Sequence, residues 1–285
     1  MSSADLAFVA RRRYPGALWR LYTSEVRLVL GRRRNLALLV VLSGIPLLIG
    51  IAVSVSAPRA GEGPPFLGQV SGNGLFLVFT ALTVCMPLFL PLVVGVVSGD
   101  AIAGEAGTGT LRYLLTVPVT RSRLLLAKTL GVLTFTFAAV LSVGLVGLVT
   151  GAVLFGLHDV TLLSGDTVSI GSGIARTVGV VAYVVIALFG LGAIGLFIST
   201  LTENAIAAMA STVGIAVLSL VLDAIPQLHV IHGALLTHNF LGFGELLRSG
   251  VGTGDLVRWS LQHLAYAAVF LSLAYARLNT KDVTS

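Results

Sequence analysis

Leu124–Leu157 reads LLLAKTLGVLTFTFAAVLSVGLVGLVTGAVLFGL, and it holds a single charge, Lys128. The run is far longer than a β-strand and does not alternate, so it reads as a helix rather than as part of a barrel. In hydrocarbon a helix satisfies its own backbone hydrogen bonds, whereas a strand this apolar would need a partner at every residue. Because the run exceeds the roughly 20 residues that cross a bilayer core, it is expected to tilt or to project beyond the membrane. Five further apolar runs accompany it, at Leu36–Ala57, Asn73–Ser98, Ile174–Leu201, Ala205–Leu222 and Leu256–Ala276. Pro46 in the first run and Pro87 and Pro91 in the second lack backbone donors and are expected to bend those helices.

Composition agrees with that reading. The 285 residues are 56% hydrophobic and only 11% charged, with a mean hydropathy of +0.98, too apolar to be covered by polar groups in water. Thirty-three glycines allow close helix packing. Cys85 is the only cysteine, so the chain can form no intrachain disulfide. The expected fold is an all-α polytopic membrane protein with six transmembrane helices.

The first 35 residues hold eight arginines. A signal peptide would need an uninterrupted apolar stretch soon after them, but Leu18–Leu30 is broken by Arg20, Glu25 and Arg27. At helical spacing Leu18, Trp19, Leu21, Tyr22, Val26, Val29 and Leu30 share a broad apolar arc, opposite Arg20, Thr23, Ser24 and Arg27. Residues 1–35 are therefore expected to be a basic segment with an amphipathic helix lying on the bilayer, and Arg32, Arg33 and Arg34 at the anionic surface. A nucleic-acid-binding arm would explain the charge too, but a hydrophobic span begins directly after Asn35, and no nucleic-acid partner is expected.

Charge also sets the orientation. With the N-terminus in the cytoplasm, fourteen of the 18 Lys and Arg residues fall inside and only Arg59, Arg176, Arg248 and Arg258 outside. Both termini are then cytoplasmic, with a transmembrane domain over residues 36–276 and a tail at 277–285. The outer segment Asp223–Asp255 is too apolar for a solvated loop, with Leu235, Leu236, Phe240, Leu241, Phe243, Leu246 and Leu247, and is expected to enter the outer leaflet or pack on the mouth of the bundle.

Following the second run and reaching into the third is Gly99–Lys128, GDAIAGEAGTGTLRYLLTVPVTRSRLLLAK. Thr110–Thr116 reads as a short helix with Leu111, Leu114 and Leu115 on one face, closed by Pro118. The pattern Glu105-x-x-x-Gly109-Thr110-Leu111-x-x-Leu114-Leu115-x-x-Pro118-Val119-x-Arg121, with Lys128 seven residues on, resembles the signature between the second and third membrane helices of type 2 ABC-transporter permeases. Gly107 and Thr108 stand where charged residues are common in that family. The resemblance implies a cytoplasmic coupling helix within 99–123, docking through Glu105, Gly109, Thr110, Leu111, Arg112, Leu114, Leu115, Pro118 and Arg121 on a separate ATPase subunit. It also implies a second permease copy, and ATP with Mg bound in the partner rather than here. For 223–255 it implies re-entrant elements near the substrate exit.

Other constellations are sparse. His229 and His232, three apart with Asp223 and His238 nearby, have a spacing that one metal ion could bridge, although histidines at an interface more commonly find solvent or backbone partners. His263 in the last run is expected to hydrogen-bond a neighbouring helix. No Asp, Glu, Lys or Arg falls in the middle of any of the six runs, which counts against a proton or ion relay. The chain has no P-loop, nucleophile elbow or His-Glu-x-x-His motif, so it is not expected to be an enzyme.

The expectation from these features together is the membrane subunit of an ATP-driven exporter in the cell membrane. A passive channel and a membrane-embedded metal-dependent enzyme built on the outer histidines are the alternatives. The orientation is testable by cysteine labelling in a Cys85→Ser background. Gly61→Cys and Gly165→Cys should react with an impermeant maleimide added to intact cells, while Thr108→Cys and Ser285→Cys should not. Labelling of Thr108→Cys would invert the orientation.

Overall fold

The computed structural model describes residues 17–56, 67–108, 120–162, 164–250 and 252–280. These are helical almost throughout. The longer helices are α1 (Ala17–Gly31), α2 (Arg33–Val55), α3 (Leu75–Cys85), α4 (Phe89–Gly107), α5 (Arg121–Phe155), α6 (Ile170–Leu201), α7 (Ala205–Asp223) and α8 (Thr253–Thr280). In the connector before α6, β1 (Val160–Thr161) pairs antiparallel with β2 (Thr167–Val168).

The protein is an all-α membrane protein: α2, α4, α5, α6 and α7 are each long and apolar enough to cross a bilayer. At 11 residues α3 is too short to cross alone. The 28-residue α8 carries Asp255, Arg258, Gln262, His263 and Arg277 and is not apolar enough to join the five.

The largest departure from the expected spans lies in the second run. Its helix stops at Cys85 and restarts at Phe89, so Pro87 and Pro91 accompany a break rather than a bend. The new helix, α4, then continues to Gly107 through residues expected to be a polar interruption, and it buries Asp100 and Glu105. Residues 109–119, with the coupling-helix residues Thr110–Pro118, lie outside the described residues. α2 runs on through Pro46. The third run is one helix of 35 residues, about 52 Å long at 1.5 Å per residue, well beyond a hydrocarbon core of roughly 30 Å.

α6 forms the spine, packed along α8 and α4, while α5 holds α2, α3 and α1. α4 and α6 are mostly buried, whereas in α2 and α7 only 22% of the most apolar stretch is. Val40, Val41, Leu48, Val55 and Ile206 are exposed on those two helices, as faces covered by lipid should be. Two close approaches depend on glycine. A Cβ on Gly74 or Gly151 would overlap the other's backbone between α5 and the start of α3, and one on Gly99 would come within 2.8 Å of the Met209 backbone on α7.

Two ends can be told apart. One gathers α1, the start of α2, the end of α4, the start of α5 and the end of α8, and is rich in arginine. At the other end the segment after α7 folds onto the bundle, as its apolar sequence suggests, with Leu236, Phe240, Phe243 and Leu247 in the main core. This cap is fastened by polar contacts to its carbonyls: Tyr183 donates to Asn239, Arg176 to Leu246 and to Arg248 (3.0 Å), and Gln262 to Gly233 (2.9 Å).

Candidate functional site

The arginine-rich end is built around Lys128. It stands two turns into α5, where the helix has already become apolar, and its side chain is only 2% exposed. An isolated ammonium there would be costly, so it requires counter-ions. Two carboxylates supply them: Glu25 of α1, at 2.9 Å, and Glu105 of α4, which accepts a hydrogen bond from Nζ. Both acids are nearly as buried as the lysine.

A second ion group adjoins the first. Asp100, about one and a half turns before Glu105 on α4, accepts from Arg34 at 2.7 Å and from Arg32. Both arginines belong to the α1–α2 corner, which Asn35 closes by donating from Nδ2 to the Val29 carbonyl at 2.8 Å. Glu25, Arg32, Asn35, Asp100 and Lys128 line a cavity of about 10 Å³ between the groups, large enough for roughly one water. Three acids and three bases thus balance within one patch. They join α1 and α2 to the helix end that leads into residues 109–119 and to the helix start that leads out.

Of the residues singled out in the sequence, Glu105 is turned inward onto Lys128. Arg121 donates to the carbonyls of Leu278 and Asn279 (2.8 Å), satisfying free acceptors at the end of α8. Gly109, Thr110, Leu111, Arg112, Leu114, Leu115 and Pro118 lie outside the described residues. Sequence reasoning missed Glu25, Asp100, Arg32 and Arg34 as members of one site. A signal existed in the lone acid among the arginines of α1 and the lone lysine of an apolar run, since each needs a partner of opposite sign. Instead, the sequence placed Glu25 as an interruption and the arginines at lipid.

At the other end the histidines are arranged differently from their spacing. Asp223, His232 and His238 come together, with His238 Nδ1 2.6 Å from Asp223 Oδ1, while His229 lies outside the group and is exposed. His263 does not make the expected hydrogen bond. It is fully buried against the Tyr183 and Phe240 rings, and neither ring nitrogen has a hydrogen-bond partner among the described residues.

Burial is the largest influence on Glu25 and raises its pKa above the ordinary 4.5, and the attraction of Lys128 opposes this without overcoming it. A folded-state value above the unfolded one means that the stability Glu25 contributes is present below pH 4.5 and is lost as pH rises through the raised value. Glu25→Gln copies the shape of the neutral acid. In thermal unfolding of the purified protein it should match wild type near pH 4.5 and become the more stable of the two toward pH 8. A difference that does not change with pH would contradict the assignment.

No curated protein matches the chain. Residues 49–284 match a protein family described as a protein of unknown function, DUF2705, a description that assigns no activity. The match covers α3 to α8 and only the end of α2, from Ile49, and so includes Asp100, Glu105 and Lys128 but not Glu25, Arg32 or Arg34. Since that is most of the chain, the protein belongs to the DUF2705 family.

Proposed function

We propose that the chain is the permease subunit of an ATP-driven exporter of the type 2 ABC class. In this reading it crosses the cell membrane six times, with α3 and α4 together forming the second crossing and α8 the last, and both termini are cytoplasmic. Two copies line the pathway, and two separate ATPase chains bind ATP and Mg. An uncharged apolar pathway of this kind suits many solutes.

One observation carries the reading beyond sequence resemblance. The two helix ends that flank residues 109–119 in the chain, those of α4 and α5, are joined by Lys128 and Glu105, and Glu25 ties α1 to the same point. Helix ends joined in this way can pass a push to the bundle as a rigid body. The absence of charge from the middle of the apolar runs adds support, because a transporter without its own relay needs an outside source of energy.

Leu114→Asp combined with Leu115→Asp tests the docking face and leaves the ion groups untouched. Unpaired charge buried in an interface costs several kcal/mol, so the variant should insert at wild-type levels yet fail to co-purify the ATPase and lose transport. If both partner and transport persist at matched expression, residues 109–119 are an ordinary connector and the proposal fails.

A further inference from the structure

We infer that Asp223, His232 and His238 form a binding site for a divalent first-row transition metal ion, best suited to Zn²⁺. The three residues come from separate places: Asp223 is the last residue of α7, His232 ends the short helical turn His229–His232, and His238 follows in the cap. One ligand atom from each lies within 4.8 Å of the others, although the residues are up to fifteen apart in sequence. Two imidazoles and a carboxylate are a borderline donor set that suits zinc and its neighbours and leaves a coordination position for water or another group.

The hydrogen bonds around His232 give the second reason. Its Nε2 lies 3.1 Å from the carbonyl oxygen of Ile225, which can only accept, so Nε2 carries the proton. Nδ1 is left with a free lone pair, and it lies 3.9 Å from Asp223 Oδ1, too far for a hydrogen bond but suitable for two ligands on one ion. Orientation of a metal-binding histidine by a backbone carbonyl at its other nitrogen is the usual outer-shell arrangement. His238 meets Asp223 at 2.6 Å through Nδ1, and a bound ion would take the place of that proton, which moves to Nε2 as the neutral ring changes tautomer. The site also lies at the C-terminal end of the 19-residue α7, where the helix dipole favours a cation.

A bound ion would fasten the cap to α7. His232 and His238 bracket the residues that cover α6 and α8, including Ala234, whose carbonyl accepts from Tyr266. The site does not depend on the transport reading, because its ligands and its test involve only this chain.

The test uses the full-length protein, purified in detergent and stripped of metal, titrated calorimetrically with Zn²⁺ and followed separately with Co²⁺ by visible absorption. The expected result is one Zn²⁺ per chain, with Co²⁺ d–d bands that Zn²⁺ abolishes. Asp223→Asn, His232→Ala and His238→Ala should each weaken binding by at least about tenfold, and His229→Ala should leave it unchanged. Wild type without stoichiometric Zn²⁺ and without Co²⁺ bands overturns the site with no need of a variant. Binding that withstands loss of Asp223 or His238, or that depends on His229, overturns the ligand set.

Discussion

Lys128 imposes the constraint on which the arginine-rich end depends. A lysine two turns into an apolar helix is tolerated only with opposite charge in contact, and the fold meets that need from two directions, with Glu105 on the neighbouring α4 and Glu25 on α1, before the first apolar run. Removing Lys128 would leave Glu25 and Glu105 buried without their cation, a loss that typically costs about 3–5 kcal/mol. α1 is therefore better described as part of the bundle than as a surface float. It offers Glu25 and Val29 to α5, and the Tyr22 hydroxyl lies 2.9 Å from that of Thr134, while Trp19 remains exposed.

The same need explains why α4 extends so far. Asp100 and Glu105 look like loop residues in a stretch of Gly and Ala, but each has a cation waiting at the right height, and the helix carries both into contact. The small residues matter as well, since Gly99 allows the α7 backbone to approach. Ser199 of α6 accepts from the Ile102 and Ala103 backbone N–H groups at 2.9 and 2.8 Å, so α4 is held on a third side. At the opposite end the fastening differs: long side chains reach the carbonyls of an irregular cap, and between the two ends the helices touch mainly through apolar and small residues.

Much of this was legible in the sequence because hydrophobic runs and helical periodicity are local signals. The apolar runs, the amphipathic pattern of α1 and the packed segment after α7 follow from neighbours within a few residues, whereas Pro87 and Pro91, expected only to bend a helix, accompany its interruption. The ion groups were not legible, because they join residues far apart in the chain: Glu25 to Lys128, and Arg32 and Arg34 to Asp100. Charge alone does not say whether an arginine faces lipid or an aspartate. The histidines after α7 show the same limit. Spacing favoured the pair His229 and His232, but the turn after residue 232 brings His238 to Asp223 and leaves His229 outside. Nothing local could have shown that His263 would be enclosed by aromatic rings without a hydrogen-bond partner among the described residues.

The Lys128 group holds α1 and the helix ends that flank residues 109–119 as one body. Ser24 on α1 and Ser122 at the start of α5 are both exposed and suit spin labels. The most direct measurement is the distance distribution between labels on Ser24→Cys and Ser122→Cys, in a Cys85→Ser background in lipid nanodiscs, by pulsed electron resonance. A single narrow distribution is expected, becoming broad when Lys128→Met is added. A distribution that stays equally narrow and centred at the same distance without the lysine would contradict it.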